Sequence, residues 1–358
     1  MTSSDIIRLR LFNQQLAETK FTKPQELVSW MGAIQSQDYG MAKWAIGLRL
    51  STSDDTIIEK AFNEGKILRT HVLRPTWHFV TSKDIRWMLD LTAPRILASL
   101  AHARRFLSLD KKTLKNCNDV LAKALSGGKQ LTRDEVRSIL QQAKIDTSGL
   151  RFIHLLEHAE LDRVICSGRK KEKQFTYALF DERASAKTLE HEEALAELTK
   201  RFFTSRGPAT IYDFAWWSGL AVSDAKKGME MVKQRFKREI LDGKEYFFQV
   251  PSLFENEFAQ TTLLLPNYDE YVVSYKDRTE AIDKKHLAVI SKERNAVFTN
   301  SILINGRIAG TWQRAIKNNS VTVSTRLFSS LSKTKQELVA RAATRYGKFL
   351  GKSLQAIN

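Results

Sequence analysis

The stretch "GAIQSQDYG", residues 32–40, sets two carboxamides two positions apart, Gln35 and Gln37. A carboxamide is neutral at ordinary pH and is a poor acid, base or nucleophile. It offers a dipole, with an oxygen that accepts and an NH2 that donates. On an α-helix, residues two apart point roughly 200° apart and cannot share a target. They converge only where the backbone leaves the helix and i and i+2 lie on one side. Tyr39-Gly40 reads as a helix end, which places the pair at the end of a helix starting near Pro24. Facing a DNA groove, two amides can hold one water or sugar atom. One reaction suits catalysts this weak. A purine alkylated at N7 is a cationic leaving group, so its glycosidic bond breaks without a general acid. The enzyme has only to expose the lesion, stabilise an oxocarbenium-like sugar and position a water. A normal glycosidic bond would require an acid or a carboxylate at the sugar. Two glutamines at a helix end also serve as a solvated cap or an interface polar group, and that reading stays open here.

Neighbouring residues bear on the same site. Asp38 is the nearest carboxylate, an additional base or, more in keeping with its position, a helix cap or ion-pair partner. In "RPTWH", Arg74 sits at a hairpin turn where it can reach a phosphate, as can Arg69 on the preceding strand. His78 shares a hairpin face with Thr76. It either lines the groove or is a hydrogen-bonded structural histidine. Tyr268, Asp269 and Glu270 are unusual company for a basic groove and suggest a polar network between units.

The elements that must hold these residues follow a repeated grammar. Helical stretches at 23–34 and 54–64 precede a hairpin at 67–81. Stretches at 131–143 and 148–160 precede one at 162–180. Stretches at 207–220 and 222–234 precede one at 236–250, turning at Asp242-Gly243. Thr132 with Glu135 three residues on forms a capping box. Helix, helix, hairpin, three times over, is the pattern of a winged helix-turn-helix. After about residue 258 the pattern changes. "TTLLLPNYDEYVVSY", "SILINGRIAGTWQRAI" and "NSVTVSTRLF" read as strands, and a helix follows from Ser332. The expected fold is α+β, mainly α: winged-helix units over 1–108, 109–185 and 186–257, then a β-barrel-like unit with a terminal helix over 258–358.

The chain has 57 Lys+Arg against 40 Asp+Glu, a formal net charge of +17. That excess points to a polyanion, nucleic acid before an anionic membrane. The second hairpin tip gathers Arg169, Lys170, Lys171 and Lys173, placed to lie along a phosphate backbone. Arg314 and Lys317 open a basic tail, and Arg104, Arg105, Lys111, Lys112 and Lys115 form a third basic stretch. Three such regions suggest an extended groove on double-stranded DNA. Cys117 and Cys166 show no metal or disulfide spacing. The histidines show no ligand motif, and no Walker or Rossmann loop is present. No metal or cofactor is expected. No apolar run is long enough to span a bilayer and no secretion signal opens the chain, so a cytoplasmic monomer is expected.

The blocks "AIQSQDYG…WAIGLR", "RTHVLRPTWHFV…DIRWML", "RGPATIYDFAWWSGL", "LLLPNYDEYVVSYKDR" and "INGRIAGTWQR" resemble the winged-helix DNA-binding family that includes the AlkZ/YcaQ-type bacterial DNA glycosylases. The resemblance runs from about residue 10 to 350. It implies three tandem winged helices and a β-barrel in a C-shaped arrangement. It also implies metal-independent hydrolysis of N7-alkylpurine nucleotides, interstrand crosslinks included, with Gln35 and Gln37 as the family's Gln-x-Gln signature. A sister branch carries Asp where this chain has Gln37. The competing reading is a non-catalytic winged-helix DNA-binding protein or transcriptional regulator.

Overall fold

The computed structural model describes residues 1–52, 54–184, 187–250, 260–283, 286 and 299–357. The expected unit boundaries at 185/186 and 257/258 fall at or among residues outside this set. Among the described residues, helices mix with four small sheets, the largest an open, curled half-barrel.

The N-terminal module contains α1 (Ser3–Asn13), α2 (Pro24–Met31), β1 (Ile34–Gln35), α3 (Tyr39–Gly47), α4 (Asp55–Asn63), β2 (Ile67–His71) and β3 (Trp77–Thr81). Its sheet runs β1-β3-β2. Then come α5 (Ile85–Ser99), α6 (Ala101–Phe106), α7 (Lys111–Leu125), β4 (Gln130–Thr132), α8 (Arg133–Gln142), α9 (Arg151–Leu161), β5 (Ile165–Ser167) and β6 (Thr176–Leu179), with sheet order β4-β6-β5. A third set follows a turn of helix, α10 (Phe180–Arg183). It comprises α11 (His191–Arg206), α12 (Ile211–Ser218), α13 (Val222–Val232), β7 (Lys237–Leu241) and β8 (Lys244–Phe248). Ala209 bridges Phe247 of β8. All three sets therefore share one topology. A short extended segment before two helices pairs with the second strand of the hairpin that follows them.

The capping box at Thr132 and Glu135 forms as expected, and Thr210 with Asp213 makes another. The first repeat is out of phase with its sequence reading. The helix corresponding to α8 and α12 is α3, where a helix end had been expected at Tyr39-Gly40. Residues 41 to 47 of α3 are all buried, so the segment lacks the polar face that makes a helix visible in sequence. Helix α2 in turn stops at Met31, short of Gln35, because Gly32 takes φ 73, ψ −59.

The last region holds β9 (Thr262–Leu265), α14 (Glu270–Val273), β10 (Ser301–Ile304), β11 (Arg307–Ile316), β12 (Ser320–Leu327), a C-terminal helix (Lys333–Phe349) and β13 (Ser353–Ile357), in sheet order β13-β12-β11-β10-β9. The strand expected through 261–275 ends at Leu265. Asp269 then caps the helical turn α14 by accepting from Tyr271 N–H. The C-terminal helix buries Val339, Ala342, Tyr346 and Phe349, as its spacing predicts.

Core packing crosses the modules. Trp44 of α3, Phe62, Leu264, Trp312 and Phe349 share one core, so the curled sheet closes over the N-terminal helices. Val80, Trp87, Phe203 and Trp217 share a second with α11–α13. The middle set keeps a third around Leu121, Leu140 and Phe152.

Candidate nucleic-acid active site

The segment 31–37 is held from behind by a buried ion pair. Arg206, fully buried, donates to Met31 O at 2.6 Å and Ala33 O at 2.9 Å, the carbonyls on either side of Gly32. It also pairs with Glu270 Oε2 at 2.7 Å. Glu270 Oε1 accepts from Gln35 N–H at 2.8 Å, and Oε2 accepts from Trp217 Nε1 at 3.0 Å. Burial pushes the Glu270 pKa up, but Arg206 and these donors outweigh it and hold the value down at about 2. A second buried pair, Arg49 with Asp269 at 2.7 Å, fixes the preceding residue. The expected inter-unit network at Asp269 and Glu270 is thus present, and it carries the motif.

Gln35 ends the short strand β1, and Gln37 follows in a bend. Gln35 pairs in register with His78, and Ser36 N–H donates to Trp77 O at 2.7 Å. Their settings differ. Gln35 is 7% exposed, and its Oε1 accepts from Arg74 Nη2 at 3.2 Å. A guanidinium only donates, so Arg74 fixes which way round the amide sits and leaves the Gln35 NH2 as its outward group. Gln37 is exposed, and its Oε1 lies 3.5 Å from Trp77 N.

The residues assigned around the motif are held by contacts within the chain, some as the sequence suggested and some not. Arg74 turns inward to Gln35 and to Trp216 O at 3.5 Å, so no phosphate contact is needed to explain it. Burial lowers its pKa. Arg69 donates to Ser36 O at 3.0 Å and Gln37 O at 3.3 Å, bracing the motif's backbone. Asp38 caps α3 through Met41 N–H at 3.1 Å and faces Arg314 at 3.5 Å. Arg314 also donates to Tyr346 OH at 2.8 Å. His78 is fully buried, with Nδ1 2.9 Å from Thr76 O. Burial and then Arg74 press its pKa down to about 3, so it is a neutral structural ring. At the second hairpin tip, Lys170 and Lys171 are paired with Glu59 at 3.4 Å and Glu135 at 3.2 Å. Arg169 and Lys173 are exposed, as is Lys317 at the β11–β12 turn.

A family model described as DNA glycosylase AlkZ-like matches residues 28–349. The chain belongs to this AlkZ-like family. It is a DNA glycosylase of DNA repair. The interstrand DNA cross-link repair glycosylase of Streptomyces sahachiroi is 21% identical to it over 328 residues, 85% of either chain. The solved structure of the Streptomyces sahachiroi DNA glycosylase AlkZ matches with a TM-score of 0.81 at 20% identity, covering 100% of this chain and 99% of that one. That likeness shows a shared fold. In this AlkZ-like chain, no helix among the described residues is long and apolar enough to cross a membrane. Sequence reasoning missed Arg206 and Trp217 as supports of the motif. Arg206 precedes the Gly207-Pro208 break, where a helix-ending arginine looks like a solvated cap. Only the Glu270 carboxylate, out of place in a basic chain, signalled that a buried cation had to exist.

Proposed function

We propose that the chain hydrolyses the N-glycosidic bond of N7-alkylated purines in double-stranded DNA, interstrand crosslinks included, using Gln35 and Gln37. The observation that carries this reading is the state of the two carboxylates touching the motif. Glu270 is tied to Arg206 and Asp38 to Arg314, so both carboxylates at the motif among the described residues are ion-paired and the two amides remain. Such a site can release only a base that leaves without protonation. The C1′–N9 bond breaks with its electron pair going to the cationic base, which departs neutral. Gln35 NH2 donates a hydrogen bond to a water oxygen and Gln37 Oε1 accepts a hydrogen bond from that water. The water's remaining lone pair then adds to C1′, one proton passes to solvent and the other stays on the new C1′ hydroxyl. In this reading the enzyme is monofunctional, monomeric and metal-independent.

The shared topology of the three helix–hairpin sets supports reading them as tandem winged helices over 1–108, 109–185 and 186–257, with the sheet region 258–358 closing a C-shaped DNA groove. The name of the Streptomyces sahachiroi relative supports the crosslink substrate. The test is incubation with duplexes carrying 7-methylguanine or an N7–N7 crosslink, reading freed base and unhooked strands. Release of base by wild type, lost in Gln35→Ala and Gln37→Ala, is the expected result. DNA binding without release would leave the non-catalytic reading.

A further inference from the structure

Alternate residues of β2 and β3 point away from the side that holds Gln35 and His78. There Trp77 and His71 stack with ring centroids 4.0 Å apart. A cavity of about 380 Å³ opens between these residues and the β5–β6 hairpin, a size in the usual range for small-ligand sites. Trp77, Phe175 and Tyr177 line it with aromatic rings, the Arg69 guanidinium lies 4.4 Å from the Trp77 centroid and 5.2 Å from that of Phe175, and Arg133 also contributes to the lining. Glu160 also lines it, although it is only 1% exposed. Both of its hydrogen bonds, from His71 N–H at 3.3 Å and with His71 Nδ1 at 2.8 Å, end on Oε2. Oε1 has no donor among the described residues. Glu160 lines the cavity, so a donor placed there can reach this oxygen.

We propose that this cavity receives a guanine turned out of the duplex, its rings against the aromatic walls and its N1–H and N2–H2 edge donating to Glu160. This rests on the N7-alkylpurine reading above and adds how the lesion is recognised. Flipped bases are commonly held by aromatic walls and read along the Watson–Crick edge. Guanine presents two donors there, which a carboxylate matches. Adenine presents N1 as an acceptor, which the carboxylate repels. The N7 substituent lies on the opposite edge of the ring, so even a bulky adduct can leave through the mouth. That mouth adjoins the motif. Arg69 donates to Gln37 O at 3.3 Å, and Trp77 N lies 3.5 Å from Gln37 Oε1.

The test has two arms on the intact protein. Saturation-transfer NMR with free 7-methylguanine and free 7-methyladenine reads the site without catalysis. Release of the same two bases from methylated duplex reads selectivity. Wild type is expected to bind 7-methylguanine in preference. Glu160→Gln should lose that binding and lower the guanine-to-adenine release ratio about tenfold, the scale of one lost edge contact. Phe175→Ala, at an exposed position that leaves the His71 contact intact, should weaken binding of both bases alike. Wild-type release with no base binding, or a ratio unchanged in Glu160→Gln, overturns the pocket and leaves the glycosylase reading standing. Base binding lost in Glu160→Gln, with no release by wild type, supports the pocket and overturns the hydrolysis reading.

Discussion

Gln35 and Gln37 carry the same side chain in different settings, one buried and one exposed, a difference the sequence did not show. Arg74 decides the rest. It was read as a phosphate contact because a hairpin-turn arginine usually faces solvent, yet here it holds Gln35 Oε1. Gln35→Ala and Gln37→Ala should each lower 7-methylguanine release on the order of 10²-fold, with DNA affinity near wild type because phosphate contacts dominate ground-state binding. Arg74→Met should free the Gln35 amide to rotate and lower kcat on the order of tenfold with KM little changed, read from single-turnover rates. Neither amide titrates, so the wild-type rate should be flat from about pH 5 to 9. Gln37→Asp would add an acid limb near pH 4, the ordinary carboxylate value. Stability behaves differently. His78 has a folded pKa of about 3 against an ordinary 6.5. Between those values the unfolded chain binds the extra proton, so stability falls as pH drops below about 6.5, by about 1.4 kcal/mol one unit down. Glu270, lowered to about 2, contributes stability above its unfolded value near 4.5, and that contribution is lost as pH falls through about 2. Thermal unfolding at stepped pH should show the first loss in wild type and a smaller one in His78→Gln.

At the level of elements, the hairpins and the capping box at Thr132 were visible because turn dipeptides and i, i+3 pairs are local signals. The α3 helix was not, since a helix buried all round shows no period, and its phase error displaced the motif from strand to helix end. Gly32 is the hinge of that correction. Its φ 73, ψ −59 stops α2, and Arg206 grips the carbonyls on both sides. An added Cβ meets nothing nearer than Trp217 Cη2 at 3.6 Å, so Gly32→Ala should suffer from backbone strain alone, roughly 1–3 kcal/mol, read from denaturant midpoints. Glu270→Ala removes one partner of a buried pair and should cost more, about 3–5 kcal/mol. It should also slow base release, because the Gln35 backbone loses its acceptor.

Across the whole molecule, the charge excess predicted a DNA partner correctly, and some of the cations it named face carboxylates of the same chain. Composition counts lysines, but it cannot tell a lysine facing a phosphate from one facing Glu59 or Glu135. The expected phosphate contacts at the second hairpin narrow to Arg169 and Lys173. Replacing both with Ala should reduce the slope of log K against log salt by about two, whereas Lys171→Ala should leave it near wild type, read by fluorescence anisotropy. The two deepest ion pairs join distant parts of the chain, Arg49 to Asp269 and Arg206 to Glu270. A fragment ending near residue 250 would keep both guanidiniums and lose both carboxylates, leaving two cations without their partners. Repetition of a module ordinarily makes a protein divisible, so that pieces can be shuffled, duplicated or lost. Here each of those exchanges would have to carry the far end of the chain with it.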